Sequence, residues 1–127
     1  MIHGDFYRRN ILWRDGRIVA LVDWHDARTA PFWDEVASAA WEMAHDRHRF
    51  LPDRAAAFLR AYGPDAPSLE LAVPLIRLRL RDQVRYALAR ARHGEPLDEY
   101  VTPCLRAYTE LGDFHPPAMQ AGALNPR

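Results

Sequence analysis

The feature that most constrains this chain is a change in the spacing of its apolar residues near Pro31. Before that point, two short apolar runs at residues 11–13 and 17–24 flank the dipeptide Asp15-Gly16. This dipeptide supplies the positive φ angles of a tight turn, so the spacing predicts a β-hairpin. Both alternating sets of side chains in the second run are largely apolar, which predicts a hairpin covered on both faces.

Helical spacing and helix-ending residues predict about four helices after Pro31. The first should begin with Asp34 as its cap and run to about residue 45. The others should cover residues 54–62, about 68–92 and about 97–111, with a kink or break at Pro103 in the last. The fold class predicted is therefore α+β and mostly helical. The third helix carries an apolar stripe that should face the core, made of Val73, Ile76, Leu80, Val84, Ala87 and Ala91.

The composition limits the class of protein. A chain of 127 residues that is 49% hydrophobic can bury the core of one domain. Its 17 basic and 17 acidic residues balance, so no net field attracts nucleic acid or an anionic membrane. No apolar run approaches the roughly 18 residues that span a bilayer. We expect a soluble, cytoplasmic chain that binds neither nucleic acid nor membrane, and its single cysteine excludes an internal disulfide.

Residues suited to phosphoryl transfer occur before and within the hairpin. Asp5 precedes Asn10 by five positions, and Asp23 follows Asn10 by thirteen. In a phosphoryl-transfer site, one aspartate orients the acceptor hydroxyl and takes its proton, while an asparagine and another aspartate hold Mg²⁺. The hairpin should return Asp23 beside Asn10. An ordinary turn would also explain Asp5 and Asn10, whereas an unpaired carboxylate in the apolar run around Asp23 would be costly if buried.

Taken together, these motifs resemble the aminoglycoside phosphotransferase and choline-kinase-like family, whose fold is like that of protein kinases. The matching segments are His3-Gly4-Asp5 to Asn10, Leu21-Val22-Asp23-Trp24, and Asp34-Glu35-Val36-Ala37. The resemblance implies that Asp5 is the catalytic base and that Asn10 and Asp23 bind Mg²⁺ on the ATP phosphates. It implies structural support of the loop by His3 and Asp34. ATP would be the co-substrate, and a small molecule with a hydroxyl group would be the acceptor.

The same resemblance predicts the organisation of the chain. Residues 1–111 would form the C-terminal lobe of a kinase-like fold, with the catalytic loop and metal-binding hairpin in 1–34 and the helical part in 34–111. Residues 112–127 should form a poorly ordered tail. The chain contains no lysine and no glycine-rich phosphate loop, which active members carry in an N-terminal lobe. We therefore expect a truncated chain that is inactive alone and could self-associate through the exposed lobe interface.

Several of these residues also fit roles outside catalysis. The chain could be a non-catalytic binding or regulatory module that keeps the core of the lobe. A helix cap alone would explain Asp34, and His45 with His48 is more typical of a solvated surface than of a metal site. The four tryptophans could line an acceptor pocket or pack in the core. A solvated helix face that could also attract an anion is formed by Arg77, Arg81, Arg85 and Arg92.

Overall fold

The computed structural model describes residues 1–46, 49–97, 99 and 101–113. Its architecture is α+β and mostly helical, with a small N-terminal pair of antiparallel strands, as the sequence predicted. None of the described helices is long and apolar enough to cross a membrane. In chain order the elements are β1 (Ile11–Arg14), β2 (Arg17–Leu21), α1 (Phe32–Met43), β3 (His45–Asp46), β4 (Arg49–Phe50), α2 (Pro52–Tyr62), α3 (Leu69–Arg92) and α4 (Val101–Gly112).

The predicted hairpin forms around its predicted turn. Strands β1 and β2 pair antiparallel, and the turn residues Asp15 and Gly16 have φ angles of 50° and 73°. Strand β2 ends at Leu21, before residue 24, because Asp23 adopts a left-handed conformation and a 3₁₀ turn follows it. The expectation that both faces are covered is wrong, since the rest of the described chain leaves four apolar side chains between 45% and 58% exposed: Leu12, Trp13, Ile18 and Val19.

Helix α1 begins earlier than the sequence suggested. Its first residue is Phe32, and Pro31 occupies the cap position without a side-chain hydrogen bond. The prediction that Asp34 caps this helix is therefore wrong. Pro31 has an extended backbone, so the helix starts directly after it and Asp34 lies in the first turn, exposed to solvent. A carboxylate there still interacts favourably with the positive end of the helix dipole.

Helix α3 forms the centre of the molecule, and its apolar stripe faces the core as predicted. Val73, Ile76, Leu80 and Val84 are buried against residues of α1 and α4, whereas Ala87 and Ala91 near the end of the stripe are only partly buried. Ser68 caps this helix, because its hydroxyl accepts a hydrogen bond from the backbone N–H of Leu71 at 3.4 Å. A second cluster joins α1, α2 and α3 through Val36, Ala40, Leu59 and Ala72.

The starts of α2 and α4 differ from the prediction by two and four residues, whereas their last residues differ by at most one. Helix α2 begins at Pro52, a residue type that suits the first turn because its missing N–H has no helical partner there. Helix α4 begins at Val101, so Pro103 also lies in a first turn and does not interrupt the helix. The predicted break at Pro103 is wrong for this reason. Residues 114–127 of the predicted tail and His48 lie outside the described residues.

Candidate active site

The segment before β1, here called the catalytic loop (residues 3–10), is held to helix α1 by one carboxylate. Glu35 Oε2 accepts a hydrogen bond from the backbone N–H of His3, and its Oε1 accepts one from Gly4, both at 2.8 Å. Just upstream, Ile2 and Arg28 form an isolated antiparallel bridge. The beginning of the loop is thus fixed on two sides.

Gly4 occupies a position that no other residue would tolerate. Its φ angle is 85°, in the left-handed region that favours glycine. A Cβ atom there would lie 2.2 Å from the carbonyl oxygen of Asp26 and 2.4 Å from Arg28 Nη1. The absence of a side chain therefore lets the segment after the hairpin pass directly against the loop.

His3 links the catalytic loop to the end of the hairpin. Its ring is buried, with 1% of its surface exposed, and it lies 4.6 Å from the ring of Trp24. Nδ1 accepts a hydrogen bond from the backbone N–H of Asp5 at 3.3 Å. Nε2 lies 2.9 Å from the carbonyl oxygen of Val22, which matches an imidazole protonated at Nε2 and donating to that oxygen. These contacts fit a positioning role between Asp5 and the hairpin.

Asp5 and Asn10 are in direct contact. The side-chain amide nitrogen of Asn10 donates to the carbonyl oxygen of Asp5 at 3.0 Å and to its carboxylate Oδ2 at 3.3 Å. The other carboxylate oxygen, Oδ1, lies 3.7 Å from Arg79 Nη2 on α3. Asn10 is 6% exposed, and its side-chain oxygen accepts no hydrogen bond from the residues that the structure describes. The amide therefore orients the carboxylate while keeping one oxygen available.

Asp23 is brought to the same end of the hairpin by strand pairing. The backbone N–H of Val22 donates to the carbonyl oxygen of Asn10 at 2.9 Å, so Asp23 lies one residue beyond the backbone partner of Asn10. Asp23 has a φ angle of 66°, and its exposed side chain makes no hydrogen bond or ion pair within the described part of the chain. The cost of burying an unpaired carboxylate therefore does not arise here, because the Asp23 side chain reaches solvent.

An open cavity of about 800 Å³ lies beside the catalytic loop, between the loop and α3. Asp5 and Gly4 line it on one side. Arg79, Tyr86 and Arg90 of α3 line the other side. Its volume falls within the range of sites that bind small molecules. The carboxylate of Asp5, whose side chain is 30% exposed, can therefore meet a ligand that enters this cavity.

Behind the loop, Glu42 of α1 is a buried carboxyl group, 5% exposed. Loss of water on burial raises its pKa from 4.5 to about 7, although the positive charges of Arg8 and Arg79 act in the opposite direction. The nearby charge of Asp5 raises this pKa further. Glu42 thus titrates near neutrality within the electrostatic reach of Asp5.

Arg8 ties the far end of the catalytic loop to the C-terminal end of α1. Its guanidinium donates from Nε to the carbonyl oxygen of Glu42 and from Nη2 to that of His45, the latter at 2.7 Å. Carbonyl groups in the last turn of a helix lack helical partners, and a positive charge is favourable at that end. The loop is therefore fastened near both ends of α1.

The side chains of Asn10 and Asp23 can supply only some of the oxygen ligands that a hard cation needs. Among the described residues, no group of three histidine, cysteine, aspartate or glutamate side chains could enclose a metal ion. Mg²⁺ in phosphoryl-transfer sites keeps several waters and commonly takes only one or two protein oxygens, with the rest from phosphates. One amide oxygen and one carboxylate fit that requirement.

The contacts that hold the loop include residues to which the sequence analysis gave no role. Support expected from Asp34 comes from its neighbour Glu35, since the cap lies three residues earlier than predicted, at Pro31, and Asp34 is exposed to solvent. Arg8 and Arg79 were also missed. The adjacent carboxylates at positions 34 and 35 could have indicated Glu35 as a support of the loop. The contact of Arg79 with Asp5, in contrast, depends on tertiary packing.

The comparison with known proteins agrees with the motif resemblance. A family model described as "Phosphotransferase enzyme family" matches residues 1–72, which is more than half of the chain. This region contains the catalytic loop, the hairpin, α1 and α2. No curated protein and no solved structure matches.

The first prediction concerns the carboxylate that holds the loop. Glu35→Gln should lower the free energy of unfolding by about 2 kcal/mol, because an amide cannot accept from both backbone N–H groups and one buried donor is left unpaired. The matched control is Asp34→Asn, a similar change at the exposed neighbour, which should shift stability by less than about 0.5 kcal/mol. Urea denaturation measures both. Equal effects of the two changes would contradict the assignment of loop support to Glu35.

The second prediction concerns the pH dependence caused by Glu42. Its pKa is higher in the folded chain than in the unfolded one, so the folded state binds more protons between pH 4.5 and about 7. The free energy of unfolding should therefore fall as pH rises through this window. Glu42→Gln should match the original protein near pH 4 and exceed its stability at pH 8 by up to about 3 kcal/mol.

Denaturation at a series of pH values tests this expectation. The control is Glu110→Gln, at an exposed carboxylate that is hydrogen-bonded to Arg106 one helical turn away. That change should alter stability by less than about 1 kcal/mol. A difference between Glu42→Gln and the original protein that stays constant from pH 4 to pH 8 would argue against a buried, titrating carboxyl group.

Proposed function

Because the chain belongs to the phosphotransferase enzyme family, we propose that it transfers the γ-phosphoryl group of ATP to a hydroxyl group of a small molecule. Asp5 is the base in this proposal, Asn10 and Asp23 are the Mg²⁺ ligands, and the cavity beside Asp5 receives the acceptor. Family membership supports the phosphotransferase class, and the contacts of the catalytic loop support these roles.

The observation that carries the proposal is the orientation of the Asn10 amide. Its nitrogen is engaged twice by Asp5, so its oxygen is left for another partner. An asparagine that served only as a turn residue would bond to backbone groups alone, whereas this amide also donates to the carboxylate of Asp5. The Asn10 amide therefore orients the base through its nitrogen and leaves its oxygen available. The backbone of Asn10 pairs with Val22, the residue before Asp23.

Asn10 Oδ1 and the Asp23 carboxylate would hold Mg²⁺. The ion, when bound, neutralises charge on the phosphates of ATP as the phosphoryl group is transferred. The left-handed backbone at Asp23 turns the chain sharply just after β2, and its side chain is exposed at this end of the hairpin. An exposed carboxylate needs no protein partner and can accept a hydrated cation without first losing a salt bridge.

Asp5 would act on the acceptor. Its carboxylate receives the hydroxyl proton while the hydroxyl oxygen bonds to the γ-phosphorus, and the bond to the β–γ bridging oxygen breaks to release ADP. His3 and Asn10 restrict Asp5 from its backbone N–H, its carbonyl oxygen and its carboxylate. Positioning of this kind accounts for much of the catalysis in phosphoryl transfer, since there is little covalent chemistry for the protein to perform.

The third prediction tests Asp5 as the base. In the protein expressed from its complete reading frame, ATP-dependent phosphorylation is measured over a screen of hydroxyl compounds. Asp5→Asn should lower kcat at least about a hundredfold, because the amide cannot accept the proton. The control is Asp15→Asn, the same change in the hairpin turn, where asparagine also tolerates a positive φ angle. It should leave turnover within about twofold.

Two results would count against the proposal. One is unchanged turnover in a folded Asp5→Asn variant, which would reject Asp5 as the base. The other is the absence of phosphoryl transfer from ATP to any hydroxyl compound in the screen. Circular dichroism and a thermal melt establish that each variant is folded before its activity is compared.

A second candidate role, as a binding module, is favoured by the exposed hairpin. Both β1 and β2 are edge strands of a two-stranded sheet, and they expose apolar side chains on both faces, as interaction surfaces commonly do. We propose that this hairpin lets two copies of the chain associate.

The fourth prediction tests this association. Light scattering should give a mass above that of the monomer at micromolar concentrations, and Ile18→Asp should restore the monomer because a charge opposes burial of this side chain between two copies. The control is Leu71→Asp, at an equally exposed apolar residue on α3. A monomeric original protein, or equal effects of both changes, would contradict the hairpin as the contact.

A further inference from the structure

The cavity beside Asp5 has an unusual distribution of charge. The charged groups that line it are the guanidinium groups of Arg9, Arg28, Arg79 and Arg90 and the carboxylates of Asp5, Asp26 and Asp82. A lining of mixed charge does not by itself choose a ligand. Whether the cavity suits an anion or a cation depends on which of these groups already have a partner of opposite charge within the protein.

Two of the arginines lack a carboxylate partner. Arg79 is paired with Asp5, and Arg90 is hydrogen-bonded to Glu95. Arg28, in contrast, donates from Nη1 only to carbonyl oxygens, and Arg9 lies over the ring of Tyr7 with its guanidinium carbon 5.0 Å from the ring centre. Neither forms an ion pair with any residue in the described ranges.

The carboxylates offer less to a positively charged ligand. Asp82 is bound by the guanidinium of Arg81 at 3.0 and 3.1 Å, and Asp5 faces Arg79. Asp26 alone among these three makes no ion pair with a described residue, and its backbone carbonyl oxygen accepts a hydrogen bond from Arg28. The charges left without partners therefore favour an anion over a cation.

Arg28 is the best-placed of the unpaired cations. Its backbone is fixed by the bridge to Ile2, and its Nη1 is held 3.3 Å from the carbonyl oxygen of Asp26 and 3.5 Å from that of Gly4. Nε and Nη2 have no hydrogen-bond partner within the described chain. These two donors form one edge of the planar fork that binds carboxylate or phosphate through two parallel hydrogen bonds.

We propose that the acceptor carries an anionic group, a carboxylate or a phosphate, close to the hydroxyl that is phosphorylated, and that Arg28 binds this group. The inference rests on the proposed function and specifies its substrate class. Arg28 contacts Gly4, which directly precedes Asp5, so an anion on its fork lies near the hydroxyl that Asp5 orients. A guanidinium that is already held in place loses little freedom when it binds.

The fifth prediction uses acceptors that differ mainly in charge. One set is glycerol, glycerate, glycerol 3-phosphate and 3-amino-1,2-propanediol, and the other is glucose, gluconate, glucose 6-phosphate and glucosamine. In the full-length protein, kcat/KM should be higher for an acid or phosphate member than for the neutral and cationic members of its set. The acid and phosphate arms show which anion is preferred.

The variant Arg28→Gln should raise KM for the preferred anionic acceptor about tenfold and change kcat less than about twofold, because a charged hydrogen-bonded contact is lost. It should leave KM for the neutral acceptor unchanged. Arg28→Lys should recover part of the affinity, since it keeps the charge but not the fork. The control is Arg60→Gln, at an exposed arginine of α2 outside the cavity, which should change neither constant.

Several outcomes would overturn the inference. Preference for the cationic or neutral members would reject the substrate class while leaving the phosphotransferase proposal intact. An equal fall in kcat with every acceptor in Arg28→Gln would assign the guanidinium to the transferred phosphoryl group instead. If only compounds outside both sets are phosphorylated, a preference for anionic ones supports the inference, and a preference for neutral or cationic ones overturns it. If no acceptor is phosphorylated, the proposed function itself fails, and the substrate class fails with it.

Discussion

The candidate site depends on one interaction, the double hydrogen bond from the backbone of the catalytic loop to the carboxylate of Glu35. His3 and Gly4 belong to no strand or helix, so without this carboxylate their N–H groups would be left without a partner in a part-buried position. Hydrogen bonds to a charged acceptor contribute about 1.5–3 kcal/mol each. Glu35 sits on a helix whose next two residues, Val36 and Ala37, are buried in the core. The loop is therefore attached to the rigid part of the fold.

The same helix also fixes the other end of the loop. Glu35 lies in its first turns, and Glu42, whose carbonyl oxygen accepts from Arg8, lies seven residues later. At 1.5 Å per residue, the two attachment points are roughly 10 Å apart along the axis. Within the loop, Asp5 lies between Gly4, which Glu35 holds, and Arg8, which is bonded to Glu42. Asn10 immediately precedes β1. A short irregular segment thus has little freedom to move, although only its final residues form a 3₁₀ turn.

Local signals in the sequence were sufficient for the hairpin and the four helices but not for the contacts between them. Asp15-Gly16 predicted the hairpin, and Ser68 with the apolar stripe predicted α3, because turn chemistry and helical periodicity are properties of short segments. The choice between Asp34 and Glu35 was different. Neighbouring residues on a helix point about 100° apart, so only one of two adjacent carboxylates can face the loop, and the packing of α1 decides which one.

The exposure of the hairpin and of Asp23 could not be read from apolar composition for a related reason. An apolar run predicts burial only if another element covers it, and local patterning does not say whether one does. The pair of two-residue strands β3 and β4 was missed because segments that short carry no periodic signal. Arg79 reaches Asp5 only through the packing of α3 against the loop, which no local rule encodes.

Exclusive use of arginine as the basic residue is consistent with how these contacts are made. Arg8 donates to the carbonyl oxygens of Glu42 in α1 and His45 in β3, and Arg28 donates to those of Gly4 and Asp26. Arg77 both donates to the carbonyl oxygen of Tyr108 and stacks on its ring. A planar guanidinium with five donors can serve two acceptors at fixed angles and still present an open edge, whereas a lysine ammonium is a point charge on a flexible stem.

A guanidinium donates hydrogen bonds and carries a charge at the same time, which connects the stability of the loop with its chemistry. The positive charges of Arg8 and Arg79 oppose the rise in the pKa of the buried Glu42 carboxyl. Arg79 also faces the carboxylate of Asp5, and Arg8 fastens the loop that carries it. Arg8 therefore both holds the loop backbone and adds a positive charge beside Glu42, whereas Arg79 adds its charge beside Glu42 and the candidate base. A change of Arg8 to lysine would keep the charge but lose the planar set of donors that holds the two carbonyl oxygens.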